Sequence, residues 1–221
     1  MERWATFDCY GTLVDWNAGI HGELEKLFGV EHADGLLVRY HELEPRIQAE
    51  NEGASYREVL TIALEELAAE SGLTVPEGET SALARSLPEW PVFEDVHEGL
   101  TQARERGWKL AILSNTDRDL LDASLDAIGV HVDLAIVASE IGSYKPAHRH
   151  WEVFRERAGG EGAIRHVHVA QSLYHDIAPA TELGIPSVWI NRLEEPDDGR
   201  ATRTLMSLTR LASTLDELAS E

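Results

Sequence analysis

Three features of the 221-residue sequence predict an α/β fold, a parallel sheet with helices on both faces. A short apolar run at the amino end, Trp4-Ala5-Thr6-Phe7, stops at Asp8 and is followed by Gly11 and Thr12, the pattern of a buried strand bounded by a turn. From Val92 onward, strand-like and helix-like stretches alternate with short connections, which calls for a parallel sheet with both faces covered. Between these regions, residues 15 to 90 show helical periodicity and no strand signal, so a helical insertion separates the first strand from the rest.

The elements follow in order. Asn17 to Phe28 carries Ile20, Leu24, Leu27 and Phe28 at helical spacing, and Gly29 suits the stop. A second helical stretch runs from about Ala33 to Glu50, with Pro45 expected to kink or break it. A third, Tyr56 to Ser71, places Val59, Leu60, Ala63, Leu64 and Leu67 on one stripe, and a short fourth covers Ser81 to Leu87. Pro88-Glu89-Trp90-Pro91 reads as a linker. Beyond it come a helix at Val96–Arg106, a strand at Lys109–Leu113 and a helix at Asp117–Ile128. A strand at Leu134–Ala138, a helix at His148–Ala158 and a strand at Val167–Ala170 follow. A helix at Asp176–Leu183 and a strand at Ser187–Ile190 complete the alternation.

Composition narrows the function classes. Forty acidic residues against 19 basic give a formal net charge of −21, a poor field for nucleic acid or an anionic membrane surface. Its simplest use is solubility. Cys9 is the only cysteine, so no intrachain disulfide can form, and it reads as a small residue packed under the sheet. No basic region followed by a long apolar stretch opens the chain, and no apolar run reaches membrane-spanning length. A cytoplasmic protein is the expectation, with no membrane and no nucleic-acid partner.

In open α/β sheets, ligands bind beyond the carboxyl ends of the strands. Asp8 ends the first strand and Ser114-Asn115 the second. Gly142-Ser143-Tyr144-Lys145-Pro146 follows the third, and Gln171 with nearby Asp176 follows the fourth. Each residue has a bland alternative: Asp8 as a turn-former, Ser114 as a helix cap, Lys145 as a surface lysine, Asp176 as a first-turn acid. Together they bring a carboxylate, a hydroxyl, an amide, an ammonium and a second carboxylate to one sheet edge.

Phe7-Asp8-x-Tyr10-Gly11-Thr12-Leu13, Leu113-Ser114-Asn115 and Tyr144-Lys145-Pro146 resemble the haloacid dehalogenase superfamily over nearly the whole chain. The resemblance implies a Rossmann-like core at residues 1–14 and 91–221 and a helical cap at 15–90. Most members of that superfamily are phosphatases with a second aspartate two residues after the nucleophile. Here that position is Tyr10, and a phenol of pKa about 10 protonates a leaving group poorly at neutral pH. Gln171 stands where the phosphatases place a magnesium-ligating aspartate. Both departures run towards the 2-haloacid dehalogenases, which need no metal or other cofactor.

That branch implies attack by Asp8 on C2 of a short 2-haloalkanoate, loss of halide, and hydrolysis of the aspartyl ester by water. It implies that Lys145 keeps Asp8 ionised and helps fix the substrate carboxylate, with Thr12 and Ser114 as further holders. Arg39, in a segment similar to the cap arginine of those enzymes, and Asn115 are expected to receive the halide. Asp176 is expected to orient the water, and Tyr10 and Trp151 to wall the pocket. His175 either assists that water, reshapes the halide pocket or simply packs. A phosphatase or phosphonate hydrolase and a non-catalytic anion-binding protein are the rival readings. Relatives are often homodimers, and the insert's apolar positions would serve such contacts or pack the cap on itself.

Overall fold

A computed structural model describes residues 1–51, 53–160, 162 and 164–220. Six strands form one sheet: β1 (Glu2–Phe7), β2 (Trp108–Ser114), β3 (Leu134–Val137), β4 (Ile164–Ala170), β5 (Ser187–Ile190) and β6 (Arg203–Leu205). All neighbours pair in parallel, in the order β3-β2-β1-β4-β5-β6. β1 is therefore central, and its carboxyl end opens between those of β2 and β4.

Side chains of a strand alternate between the two sheet faces, and β2 shows what each face buries. Leu110 and Ile112 join the larger apolar cluster, with Leu100 and Leu215. Ala111 and Leu113 join the other, with Trp151 and Phe154. Both faces of the sheet are thus covered, as parallel strands require.

Among the described residues, five α-helices lie between β1 and β2: α1 (Trp16–Phe28), α2 (Val30–Glu50), α3 (Tyr56–Glu70), α4 (Ala82–Ser86) and α5 (Val96–Glu105). Asp15 caps α1 by accepting from the Ala18 amide at 3.0 Å. Ser55 and Glu58 form a reciprocal capping box at the start of α3. The remaining helices are α6 (Arg118–Ile128), α7 (Ala138–Ile141), α8 (Arg149–Ala158), α9 (Ala178–Glu182) and α10 (Leu211–Ser220).

Several elements differ from expectation. Pro45 does not end α2, which runs 21 residues through it. Its buried stripe of Leu36, Tyr40, Leu43 and Ile47 continues on both sides of the proline, so packing outweighs the lost hydrogen bond. The Pro88 linker begins inside a 3₁₀ turn, Leu87–Glu89. The helix expected from Asp176 opens as a π-helical turn, Leu173–Ile177, before α9. Strand β6 and helix α10 extend the fold beyond the expected elements.

Candidate active site

The turn after β1 is built by its own backbone. Asp8 N donates to Val169 O at 3.1 Å, which still belongs to the β1–β4 pairing, and Leu13 N then turns back to Cys9 O at 2.7 Å. Gly11 makes this possible at φ +91, a conformation other L-residues rarely adopt. A Cβ there would also press on Gln171 Oε1 and Trp16 Nε1, each at 3.1 Å. The turn lifts Asp8 to the floor of a cavity of about 410 Å³ between the sheet edge and helices α2 and α3.

Asp8 is held at both oxygens. Lys145 Nζ donates to Oδ1 at 2.8 Å, and Thr12 Oγ1 donates to Oδ2 at 3.0 Å. The same threonine oxygen accepts from Gln171 N at 2.9 Å, tying the ends of β1 and β4 together. Lys145 also donates to Asp176 Oδ1 at 2.7 Å and to Leu113 O at 2.9 Å. An ammonium has three protons, and all three are engaged. Asn115 fixes the lysine's backbone in turn: its Oδ1 accepts from Lys145 N at 2.6 Å and its Nδ2 donates to Lys145 O at 2.9 Å.

The charges follow from this geometry. Burial alone would drive the Lys145 ammonium down, but the Asp176 and Asp8 carboxylates outweigh it and hold its pKa above the ordinary lysine value. For Asp176, Lys145 and His168 outweigh burial, so its carboxyl titrates well below the usual range. Asp8 goes the other way: burial raises it and the Asp176 charge adds to that, against the pull of Lys145 and Thr12. One ammonium is thus shared by two buried carboxylates.

Behind Asp176 lies a buried chain of polar groups. His168 Nε2 is 3.0 Å from Asp176 Oδ1, and its Nδ1 is 2.8 Å from Thr6 Oγ1. Thr6 Oγ1 is 2.7 Å from His166 Nε2. Where His168 Nε2–H donates to Asp176, its Nδ1 accepts from the Thr6 hydroxyl, and Thr6 Oγ1 in turn accepts from His166 Nε2–H. This leaves Asp176 Oδ2 buried without a protein partner, and Asp176 lines the cavity. Ser114 Oγ is likewise unpartnered and lines the cavity.

The structure brings Asp8, Tyr10, Ser114, Asn115, Lys145, Gln171, His175 and Asp176 to one cavity, with Thr12 directly beneath Asp8. It does not bring Arg39 there. Arg39 precedes the buried Tyr40 on α2, outside the stripe that faces inward, and its guanidinium pairs with Glu70 and Glu42. Trp151 is fully buried in the core against Phe154 and His168 rather than on the cavity wall, because its position on α8 faces the sheet. Tyr10 hydrogen bonds Ser124 at 3.1 Å, and burial pushes its phenol far above the ordinary value.

Sequence reasoning missed the cap wall, formed by Trp16, His41, Glu44, Gln48 and Tyr56. Its signal was weak. Glu44 and Gln48 are four apart and both polar on an otherwise apolar stripe, which marks a buried polar pair only once the face is known. Among the described residues lining the cavity, Lys145 is the only lysine or arginine.

Comparison with known proteins agrees with this architecture. The model of a hydrolase family, haloacid dehalogenase-like hydrolase, matches residues 3–169. The chain is 29% identical over 192 residues to a (S)-2-haloacid dehalogenase of Pseudomonas sp. (strain YL), covering 84% of this chain and 81% of that one. It is 30% identical over 128 residues to a phosphoserine phosphatase of Thermus thermophilus, covering 56% and 50%. The solved L-2-haloacid dehalogenase of Xanthobacter autotrophicus with chloropropionic acid covalently bound shares the fold at a TM-score of 0.84 and 17% identity, over 98% of this chain and 99% of that one.

Proposed function

The chain belongs to the haloacid dehalogenase-like hydrolase family, and from that membership and the cavity's geometry we propose that it hydrolyses short 2-haloalkanoic acids to 2-hydroxy acids. The observation that carries the reading is Asp8, a carboxylate held at both oxygens on the cavity floor, with no second carboxylate two residues on. An Asp8 oxygen attacks C2, the C2–halogen electron pair leaves with the halide, and an aspartyl ester remains. Water then adds to the ester's carboxyl carbon. The C2–oxygen bond stays with the product, Asp8 regains its carboxylate, and a proton is released. Asp176 Oδ2, free of protein partners, orients that water. Ser114 Oγ, with those amides of the turn after Asp8 that its own hydrogen bonds leave free, holds the substrate carboxylate, because Lys145 has no proton left to offer it.

The halide site differs from the one the resemblance implies. With Arg39 engaged outside, and both Asn115 Nδ2 protons given to Lys145 O and Gln48 Oε1, the donors left for the halide are neutral: the indole of Trp16 and the second amide proton of Gln48. Neutral Gln171 and the high-pKa Tyr10 also supply none of the charged oxygen ligands that a phosphatase uses for magnesium and acid–base work.

The test is a halide-release screen over chloro-, bromo- and fluoroacetate and both 2-chloropropionate enantiomers, with and without a chelator. Release unaffected by the chelator, and reduced at least about 10³-fold in Asp8→Asn, is the expected result. Magnesium-dependent phosphate release from phosphomonoesters, without halide release, would move the chain to the phosphatase reading.

A further inference from the structure

The cavity contains a buried carboxyl that the proposed reaction does not use. Glu44 lies on α2, is 5% exposed, and lines the same cavity as Asp8. Gln48, one turn on, donates to Glu44 Oε1 and accepts from Asn115 Nδ2 at 3.3 Å. A chain of amides therefore joins Glu44 to the loop that carries Lys145. Two influences act on its proton. Burial pushes the carboxyl up to about 7, and the Gln48 amide pulls weakly the other way.

Among the described residues lining the cavity, no cation is free to offset a charge on Glu44. Tyr40 on its own helix, Tyr56 on α3 and Tyr144 on the loop before Lys145 are phenols that burial holds neutral, and the charge of Glu44 raises each further. Burial likewise lowers His41 and His175, the latter to about 4, so both rings are neutral at pH 7. The remaining charged groups of the wall are Lys145, already shared between Asp8 and Asp176, and the exposed Glu195. A carboxylate entering this cavity meets more acids than bases before Glu44 is counted.

We propose that Glu44 sets the charge of the molecules this cavity admits: with its proton it donates a hydrogen bond to an anionic substrate, and without it, it repels one. In the acid form Oε1 keeps the Gln48 bond and the other oxygen carries the proton that faces the cavity. The inference rests on the 2-haloacid reading for the identity of the anion. It makes Glu44 a specificity-determining residue whose effect falls on binding rather than on the bond-breaking step.

The probe is propionate, a short carboxylate with no halogen to lose, titrated calorimetrically into the full chain from pH 6 to 9. Wild-type affinity should weaken about tenfold per pH unit above about 7, the slope for one proton lost. Glu44→Gln keeps a donor and cannot ionise, so its affinity should change less than about twofold over that range. Glu44→Leu, with neither donor nor charge, should bind weakly and evenly throughout. A level wild-type profile, an equal fall in Glu44→Gln, or no propionate binding at any pH would overturn the proposal. Binding of ethylammonium in place of propionate, lost in Glu44→Gln, would overturn it by making Glu44 a cation site. Halide release from 2-chloropropionate, measured on the same samples, separates the two readings. A proton-dependent propionate profile without halide release keeps the role of Glu44 and removes the dehalogenase.

Discussion

Lys145 is the residue on which the site's electrostatics turn. It is 2% exposed and bridges two carboxylates, each also buried. Removing one partner of a buried ion pair leaves uncompensated charge and costs about 3–5 kcal/mol. Lys145→Met should therefore lower unfolding free energy by about that amount near pH 7, measured by denaturant titration, and abolish turnover. The loss should shrink as pH falls. A group held below its ordinary pKa, as Asp176 is, contributes stability above the unfolded carboxylate value and loses it as pH drops through the folded one. At this scale the sequence was legible where residue type coincides with a strand end, as for Asp8, Ser114, Asn115 and Gln171, or with the loop or turn that follows a strand, as for Lys145 and Asp176. It was not legible for Arg39, Trp151 and Glu44. Each lies on a helix, where a rotation of one residue decides between cavity, core and solvent, and adjacent residues such as Arg39 and Tyr40 face different environments.

The helices that cover the cavity are fastened to the sheet edge by few bonds, and Asp117 makes two of them. Its carboxylate accepts from Tyr56 N and Arg57 N, both at 3.1 Å, and so ties the first turn of α3 to the start of α6. Tyr144 adds a bond to Ala54 O at 2.9 Å. Asp117→Ala should cost about 1 kcal/mol of stability, the usual value of a lost cap, read from thermal unfolding. It should also raise KM for a haloacid, because α3 carries Tyr56 of the cavity wall. The alternation from Val92 onward was readable because each strand is an apolar run followed by a helix with a clear stop, such as Gly129 in the left-handed region at φ +68. Strand β6 and helices α7 and α10 escaped, and the effect of Pro45 was misjudged. Pro45 carries a breaker's signature, which the buried stripe of α2 overrides. Helix α10 has Leu211, Ala212, Leu215 and Leu218 at helical spacing, but it follows the last alternating pair, where the α/β pattern no longer calls for an element.

Across the whole molecule, a formal charge of −21 surrounds a cavity proposed to take an anion. Such a field slows the approach of a carboxylate, and salt relieves it as the Debye length falls from about 30 Å at 0.01 M to about 8 Å at 0.15 M. kcat/KM for 2-chloropropionate should therefore rise severalfold over that range of ionic strength, while kcat stays nearly level. A rate that falls with salt would place a local positive field at the entrance instead. The central position of β1 explains why so much of the site could be read at all. The strand order puts the end of β1 between those of β2 and β4, so the motifs at their ends converge without help from the cap.

Catalysis through a covalent bond between Asp8 and carbon is tested most directly by oxygen labelling. With enzyme in excess over 2-chloropropionate in ¹⁸O-water, a single turnover should leave heavy oxygen in the peptide that contains Asp8 and ordinary oxygen in the 2-hydroxy acid. Heavy oxygen in the product alone, with none in Asp8, would mean that water attacks the substrate carbon directly and would contradict the mechanism.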